Sequence, residues 1–231
     1  MSFSGADADA LMDFLQVQSK IFFHDNYHSG DHITEAVTGS GEAAVTPRSM
    51  LLKTQLISGS TSRTNYYSPL YNPRYSRALI RLRLGSMSDV FAFWGFKDTL
   101  DAPAWNMTES HAGFMLYQGN LYAVTGDGGS PSANKKQVIV SGIDCTRDLV
   151  YEISDYNFRW YSVPYLTSYF DEQVEPSLEK IRFRKWSPTY SCATIQPQNK
   201  VHYLLFYIEN LVNSNRYMEV KSLTYHEEFS D

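Results

Sequence analysis

The sequence predicts an all-β protein built from antiparallel strands, a sandwich or a barrel, with one short helix at its N-terminus. Three observations carry that prediction. Apolar and polar residues alternate at period two along much of the chain. Aromatic residues make up 15% of it, with 17 Tyr and 13 Phe, and such side chains suit a pleated, half-buried surface. Turn signals separate the runs, with almost no helical periodicity between them.

The N-terminal segment is the exception. Leu11, Phe14, Leu15 and Gln18 stand at helical spacing, and Ala and Asp near the start suit a first helical turn. This predicts an amphipathic helix over about residues 6–18, inside an arm of residues 1–21 that precedes a sandwich domain of residues 22–231. Its apolar stripe must be buried either on its own domain or on a partner.

The period then changes to two. Met50, Leu52, Thr54 and Leu56 alternate with Leu51, Lys53 and Gln55. Ala78, Ile80, Leu82 and Leu84 alternate with Leu79, Arg81 and Arg83, a one-sided strand. Residues 90–96 are nearly all apolar, as a strand buried on both faces requires. Residues 113–117 and 121–125 flank Gln118-Gly119-Asn120, a hairpin signal. A short strand is expected at 136–141. Residues 149–154 and 158–163 flank Asp155-Tyr156-Asn157, a second hairpin. Strands at 181–186, 201–209 and 216–225 bring the total to about eleven. No repeat, linker or low-complexity tract divides them.

Composition excludes several classes. A chain of 231 residues can bury a large core without covalent staples. With 43% hydrophobic and 19% charged residues it is not a disordered protein. A net charge of −5 argues against a nucleic-acid partner, which selects for a basic field. No run of about 18 apolar residues exists, so no membrane insertion is expected. The start of the chain is acidic, with Asp7, Asp9 and Asp13, and lacks the pattern of a signal peptide. Cys145 and Cys192 lie outside any metal-ligand spacing and read as two ordinary buried thiols; no metal and no cofactor is expected.

Several stretches occur in a recognisable order. They begin with Phe22-Phe23-His24-Asp25 and the turn Thr38-Gly39-Ser40-Gly41. Arg81-Leu82-Arg83-Leu84 and Ala92-Phe93-Trp94-Gly95-Phe96 follow. Next come the hairpin of residues 111–129, which ends Leu121-Tyr122-Ala123-Val124-Thr125-Gly126-Asp127-Gly128-Gly129, and the pair Leu149-Val150-Tyr151-Glu152-Ile153 and Phe158-Arg159-Trp160-Tyr161. Tyr217-Met218-Glu219-Val220-Lys221-Ser222-Leu223 closes the series. In this order they resemble the concanavalin-A-like (laminin-G-like) jelly-roll sandwiches found in phage and viral structural proteins. The resemblance spans residues 22–226 and departs at the helix-like N-terminus and at residues 165–176. It implies two antiparallel sheets stacked as a jelly roll. It names no ligand.

Catalytic signatures are missing. A retaining glycosidase needs two carboxyl groups roughly 5 Å apart. The nearest candidate, Asp171-Glu172-Gln173-Val174-Glu175, precedes Pro176 and reads as a solvated loop. Sandwich-fold lyases use Arg, Gln, His and Tyr on neighbouring strands; Arg81 or Arg83 could supply the first, but no Gln-apolar-His strand follows. His111 and His202 read as hydrogen-bonded structural residues. Gly126-Asp127-Gly128-Gly129 reads as a plain turn, because no helix follows to bind phosphate and one Asp is too few for calcium. The basic side of Arg182, Arg184 and Lys185 reads as a solvated face.

Two stretches combine aromatic and polar residues. The first is read as a loop over residues 64–75 with Tyr66, Tyr67 and Tyr71, and the second as a loop over 98–109 with Trp105 and Asn106. Aromatic faces stack on sugar C–H groups, while amides bond hydroxyls. The alternative is that these rings cover the sandwich edge or a subunit interface. The sequence therefore points to a non-catalytic virion structural or adhesion protein of head-decoration, turret or fibre type, with a glycan as its candidate ligand. It would act as a homo-oligomer or beside other virion subunits, on a virion, or otherwise in the cytoplasm. The competing readings are a free carbohydrate-binding module and a polysaccharide lyase or glycosidase whose site is not apparent.

Overall fold

The structure is a computed structural model and describes residues 19–23, 33–36, 41–45, 49–56, 58–71, 76–129, 134–138, 143–154, 157–162, 189–192 and 195–227. In chain order its strands are β1 Ser19–Phe23, β2 Ile33–Ala36, β3 Glu42–Val45, β4 Met50–Lys53, β5 Thr61–Tyr71, β6 Ser76–Leu84, β7 Val90–Lys97 and β8 Ser110–Tyr117. They continue as β9 Asn120–Asp127, β10 Asn134–Val138, β11 Leu149–Ser154, β12 Asn157–Ser162, β13 Tyr190–Ser191, β14 His202–Asn210 and β15 Tyr217–Glu227.

These strands form two antiparallel sheets. One has eight strands in the order β13-β12-β11-β6-β15-β4-β3, with β1 also paired to β15. The other has seven, in the order β10-β9-β8-β7-β14-β5-β2. The chain is an all-β, two-sheet jelly-roll sandwich. The helix expected at 6–18 and the strand expected at 181–186 lie outside the described residues. Ser19 to Ile21, assigned by sequence to the arm, belong to β1, which pairs Ser19 with His226 and Ile21 with Thr224.

Strand alternation builds the core. In β6, Ala78, Ile80, Leu82 and Leu84 are buried between the sheets, opposite Trp94, Phe96, Phe114 and Phe206 from the seven-stranded sheet. Trp94 stacks on Phe114 with ring centroids 5.9 Å apart, and Tyr151 of the other sheet meets the Trp94 ring edge-on at 4.8 Å. Each such buried apolar side chain contributes roughly 1.5–3 kcal/mol. Cys145 and Cys192 join this core as free thiols, and burial pushes Cys145 up to about 12.

The alternate residues of β6 reach the far side of the eight-stranded sheet, where they meet acids. Arg81 bonds Asp148 at 2.9 Å and Lys221 bonds the same carboxylate oxygen at 3.0 Å. Arg83 pairs with Glu219 at 2.5 Å, and Arg77 with Glu152 at 3.0 Å. Burial alone would raise the Asp148 carboxyl, but Arg81 and Lys221 hold it below the usual range. Arg81 and Arg83 are thus committed to ion pairs.

β7 is buried along its whole length, because the seven-stranded sheet is covered on both faces at this strand. Its outer face carries a second apolar cluster of Phe91, Phe93, Met107, Met115, Val124, Leu205 and Tyr207. The β8–β9 hairpin closes with Tyr117 opposite Asn120. Gln118 and Gly119 turn it with φ of 49° and 75°, the conformation of a two-residue type I′ turn. The expected aromatic loop at 64–71 is not a loop: it is most of β5, paired to β14 and β2. Asn65 and Pro69 mimic a turn, but the β5–β14 register shifts between His202 and Leu204, and such an irregularity admits a proline inside a strand.

Candidate functional site

Residues 98–109 connect β7 to β8, and their base is clasped. The Asp98 N–H donates to the Ser110 carbonyl at 3.0 Å. Lys97 has a side chain with no exposed surface; its Nζ donates to Thr99 Oγ1 and to Glu109 Oε1, the latter at 2.9 Å. The Thr108 N–H donates to Glu109 Oε2 at 2.8 Å. Burial would raise the Glu109 carboxyl, but the Lys97 bond and the backbone N–H groups hold it below the ordinary value. On the other side of the base, Lys200 pairs with Asp98 at 2.7 Å.

From this base the connection folds back along the outer face of the sheet. Lys97 pairs with His111 at one end of the β7–β8 ladder, whereas Tyr117 lies at the other end. Six residues of strand cover about 20 Å at 3.3 Å each. Trp105, in the middle of the connection, nevertheless stacks on Tyr117 at 4.6 Å between centroids and 25° between planes, and meets Tyr122 edge-on at 4.9 Å. Met107 is buried in the same cluster as Phe93, Met115 and Val124. Residues 98–109 are therefore a flap laid over the sheet.

At the margin of the flap, aromatic surface meets solvent. Trp105, Tyr117 and Tyr122 are half-buried, and Asn106, Gln118 and Asn120 are exposed. Gln118 Nε2 lies within 3.5 Å of the Tyr117 hydroxyl, and Asn120 Nδ2 donates to the Gln118 carbonyl at 3.3 Å. Tyr117 in turn meets Phe91 edge-on at 6.1 Å. Of the candidates read from sequence, Trp105 and Asn106 sit here. Tyr66, Tyr67 and Tyr71 do not: β7 and β14 lie between β8 and their strand, which sets the backbones about 14 Å apart. Tyr117 and Tyr122 were missed as site residues. Their signal was present, since a tight two-residue turn brings the ends of its flanking strands together.

The acidic groups described on this face are engaged, Asp98 by Lys200 as above. Glu109 is held by Lys97 at one end. Glu209, opposite Phe91 in the β14–β7 pairing, accepts a bond from the Tyr207 hydroxyl at 2.9 Å at the other end. Phe91 and Lys97 stand six positions apart along β7, so the backbones beside Glu209 and Glu109 are about 20 Å apart, well beyond the spacing of a glycosidase pair. The Asp171 to Glu175 candidate and the basic Arg182, Arg184 and Lys185 lie outside the described residues. Asp127 Oδ1 accepts the Gly129 N–H at 2.8 Å, which closes a turn.

His111 and His202 are buried in hydrogen bonds. His111 donates from Nδ1 to the Glu109 carbonyl at 2.7 Å. His202 donates from Nδ1 to the Lys200 carbonyl at 2.7 Å, and its Nε2 lies 2.8 Å from Ser110 Oγ. Burial lowers the His202 pKa to about 4, so the ring is neutral near pH 7 and Nε2 accepts the hydroxyl proton. Ser110 Oγ also accepts the Gln198 N–H at 2.8 Å. Ser110 and His202 have no exposed surface, so this pair is closed to substrate.

No protein-family model matches the chain, and no characterised protein matches it by sequence. Solved structures match it by shape. A protein of unknown function from Shewanella oneidensis MR-1 aligns with a TM-score of 0.58 at 8% identity, over 100% of this chain and 96% of that one. The exoplasmic/lumenal domain of VIP36, bound to calcium and Man3GlcNAc, aligns at 0.58 and 9% identity over 93% and 90%. A Bacillus licheniformis β-glucanase aligns at 0.58 and 11% identity over 90% and 98%. The fold is thus the concanavalin-A-like jelly roll that these proteins share.

Proposed function

We propose that this protein is a non-catalytic glycan-binding sandwich that serves adhesion. The observation that carries the reading is the Trp105–Tyr117–Tyr122 cluster, half-buried at the flap margin beside exposed Asn106, Gln118 and Asn120. Flat aromatic faces flanked by planar amides suit sugar rings, which offer apolar C–H faces and hydroxyl rims. Two observations support the non-catalytic half. Glu109, Asp98 and Glu209 are each engaged by a lysine or a tyrosine hydroxyl, and the buried Ser110–His202 pair has no access. The shape shared with a glycan-bound lumenal domain agrees with a carbohydrate ligand. The sequence resemblance to phage and viral sandwiches favours a virion surface as the setting, as a head-decoration, turret or fibre subunit in a homo-oligomer.

The test is a glycan array probed with the wild-type chain and with Trp105→Ala, together with a polysaccharide panel assayed for reducing ends and unsaturated sugars. Binding that Trp105→Ala removes, without turnover, supports the reading. Turnover that a single acidic or histidine substitution abolishes would replace it with an enzyme.

A further inference from the structure

We infer that this site, read as glycan-binding, recognises the end of a glycan and not an internal stretch of a polysaccharide. The outer face of a sandwich sheet can hold a long sugar chain only if a groove stays open across it. Here the flap and the strands under it fill that space. Phe93, Met115 and Val124 have no exposed surface, and Phe91, Leu205 and Tyr207 are at 4% or below. Met107 of the flap lies among them.

The flap is also costly to lift. Its base holds a wholly buried lysine against Glu109, and a buried cation separated from the carboxylate that pairs with it is strongly destabilised. The Asp98–Ser110 backbone bond and the Lys200–Asp98 pair tie the same base from the other side. A polymer that needed the central face would have to break these contacts.

Among the described residues of β7, β8 and β9, what remains accessible on this face is the margin. Trp105, Tyr117 and Tyr122 offer aromatic surface on the scale of one or two sugar rings, because Tyr117 and Tyr122 take up part of the Trp105 surface. The exposed side chains beside them, Asn106, Gln118 and Asn120, are amides. Amides both donate to and accept from hydroxyls and carry no charge. The ligand class that fits is a neutral terminal mono- or disaccharide unit.

The experiment is titration calorimetry of the full chain with gluco-, manno- and galacto-oligosaccharides of increasing length, from the monosaccharide to the hexasaccharide. The expected result is an affinity that stops rising at two units, with the hexasaccharide within about threefold of the disaccharide. A rise of more than about tenfold between the disaccharide and the hexasaccharide would show an open groove and overturn the inference while leaving glycan binding intact. If no member of the series binds, and the array is blank as well, the glycan reading itself fails and the inference falls with it.

Discussion

Ser110 Oγ and His202 Nε2 lie 2.8 Å apart, and neither residue has exposed surface. The pair joins the start of β8 to the start of β14, and through the Lys200 carbonyl and the Gln198 N–H it also fixes the segment that leads into β14. Of these bonds, the one from the Ser110 hydroxyl to Nε2 requires a neutral imidazole, while Nδ1–H can donate to the Lys200 carbonyl in either form.

Stability should therefore fall in weak acid. Burial lowers the His202 pKa to about 4, against an unperturbed value near 6.5. Between those values the unfolded chain binds a proton that the folded chain refuses, so unfolding is favoured as pH drops. The contribution is fully present above about pH 6.5 and gone near pH 4, and it amounts to on the order of 3 kcal/mol. Urea denaturation at pH 7, 5.5 and 4.5 checks it. His202→Gln should be less stable at pH 7 and lose most of this slope; an equal slope in both proteins would assign the effect elsewhere.

The Lys97–Glu109 clasp predicts an asymmetry between its two halves. Glu109→Gln leaves a wholly buried ammonium without its counter-charge and should cost about 3–5 kcal/mol. Lys97→Met keeps the volume and strands only a carboxylate whose side chain is 25% exposed and can still meet water, so about 1–3 kcal/mol is expected. Denaturation midpoints of the two variants decide the order. The reverse order would mean that Glu109, not Lys97, is the more tightly enclosed charge.

Gly95 and Gly113 face each other across β7 and β8. A Cβ on Gly95 would sit 2.5 Å from both the Ala112 carbonyl oxygen and Gly113 Cα, and its φ of 153° is one that side chains avoid. Backbone cannot step aside, so Gly95→Ala should cost on the order of 3 kcal/mol or more. Gly119 is a control: it also has positive φ, at 75°, but open space around it. Gly119→Ala should cost only about 1 kcal/mol, and Gly119→Asn less. Thermal unfolding of the three variants tests the ranking.

The sandwich was legible because its strands follow local rules. Residues 90–96 read as buried on both faces, and Gln118-Gly119 read as a hairpin turn. The flap was not legible. Nothing in residues 98–109 has a period, and the path of that segment is set by contacts distant in sequence, Lys97 with Glu109 and Trp105 with Tyr117. Trp105 and Asn106 could be nominated from their chemistry alone, and the hairpin turn sets Tyr117 near Tyr122, but nothing in the sequence joins those two tyrosines to Trp105, because only the flap does so. β5 was misread for the opposite reason: Asn65 and Pro69 carry a local turn signal that pairing with β14 overrides. The Arg81–Asp148–Lys221 group shows the same limit, since no spacing in the chain announces that those three will meet.

Glycan affinity should depend on the margin of the flap and not on β5. Trp105→Ala removes a half-buried ring and, with it, the surface against which Tyr117 and Tyr122 are held. The loss of a stacked aromatic corresponds to about 1–3 kcal/mol, a fall of roughly five- to 150-fold in affinity. Tyr117→Ala should fall in the same range, because the Trp105 indole then loses the face it rests on. Tyr66→Ala, on a strand separated from β8 by two others, should leave affinity within about twofold unless β5 carries a separate site. Array signal and calorimetry on the three variants make the comparison, with circular dichroism confirming that each remains folded. Loss of binding in Tyr66→Ala with none in Trp105→Ala and Tyr117→Ala would move the ligand from the flap margin to β5.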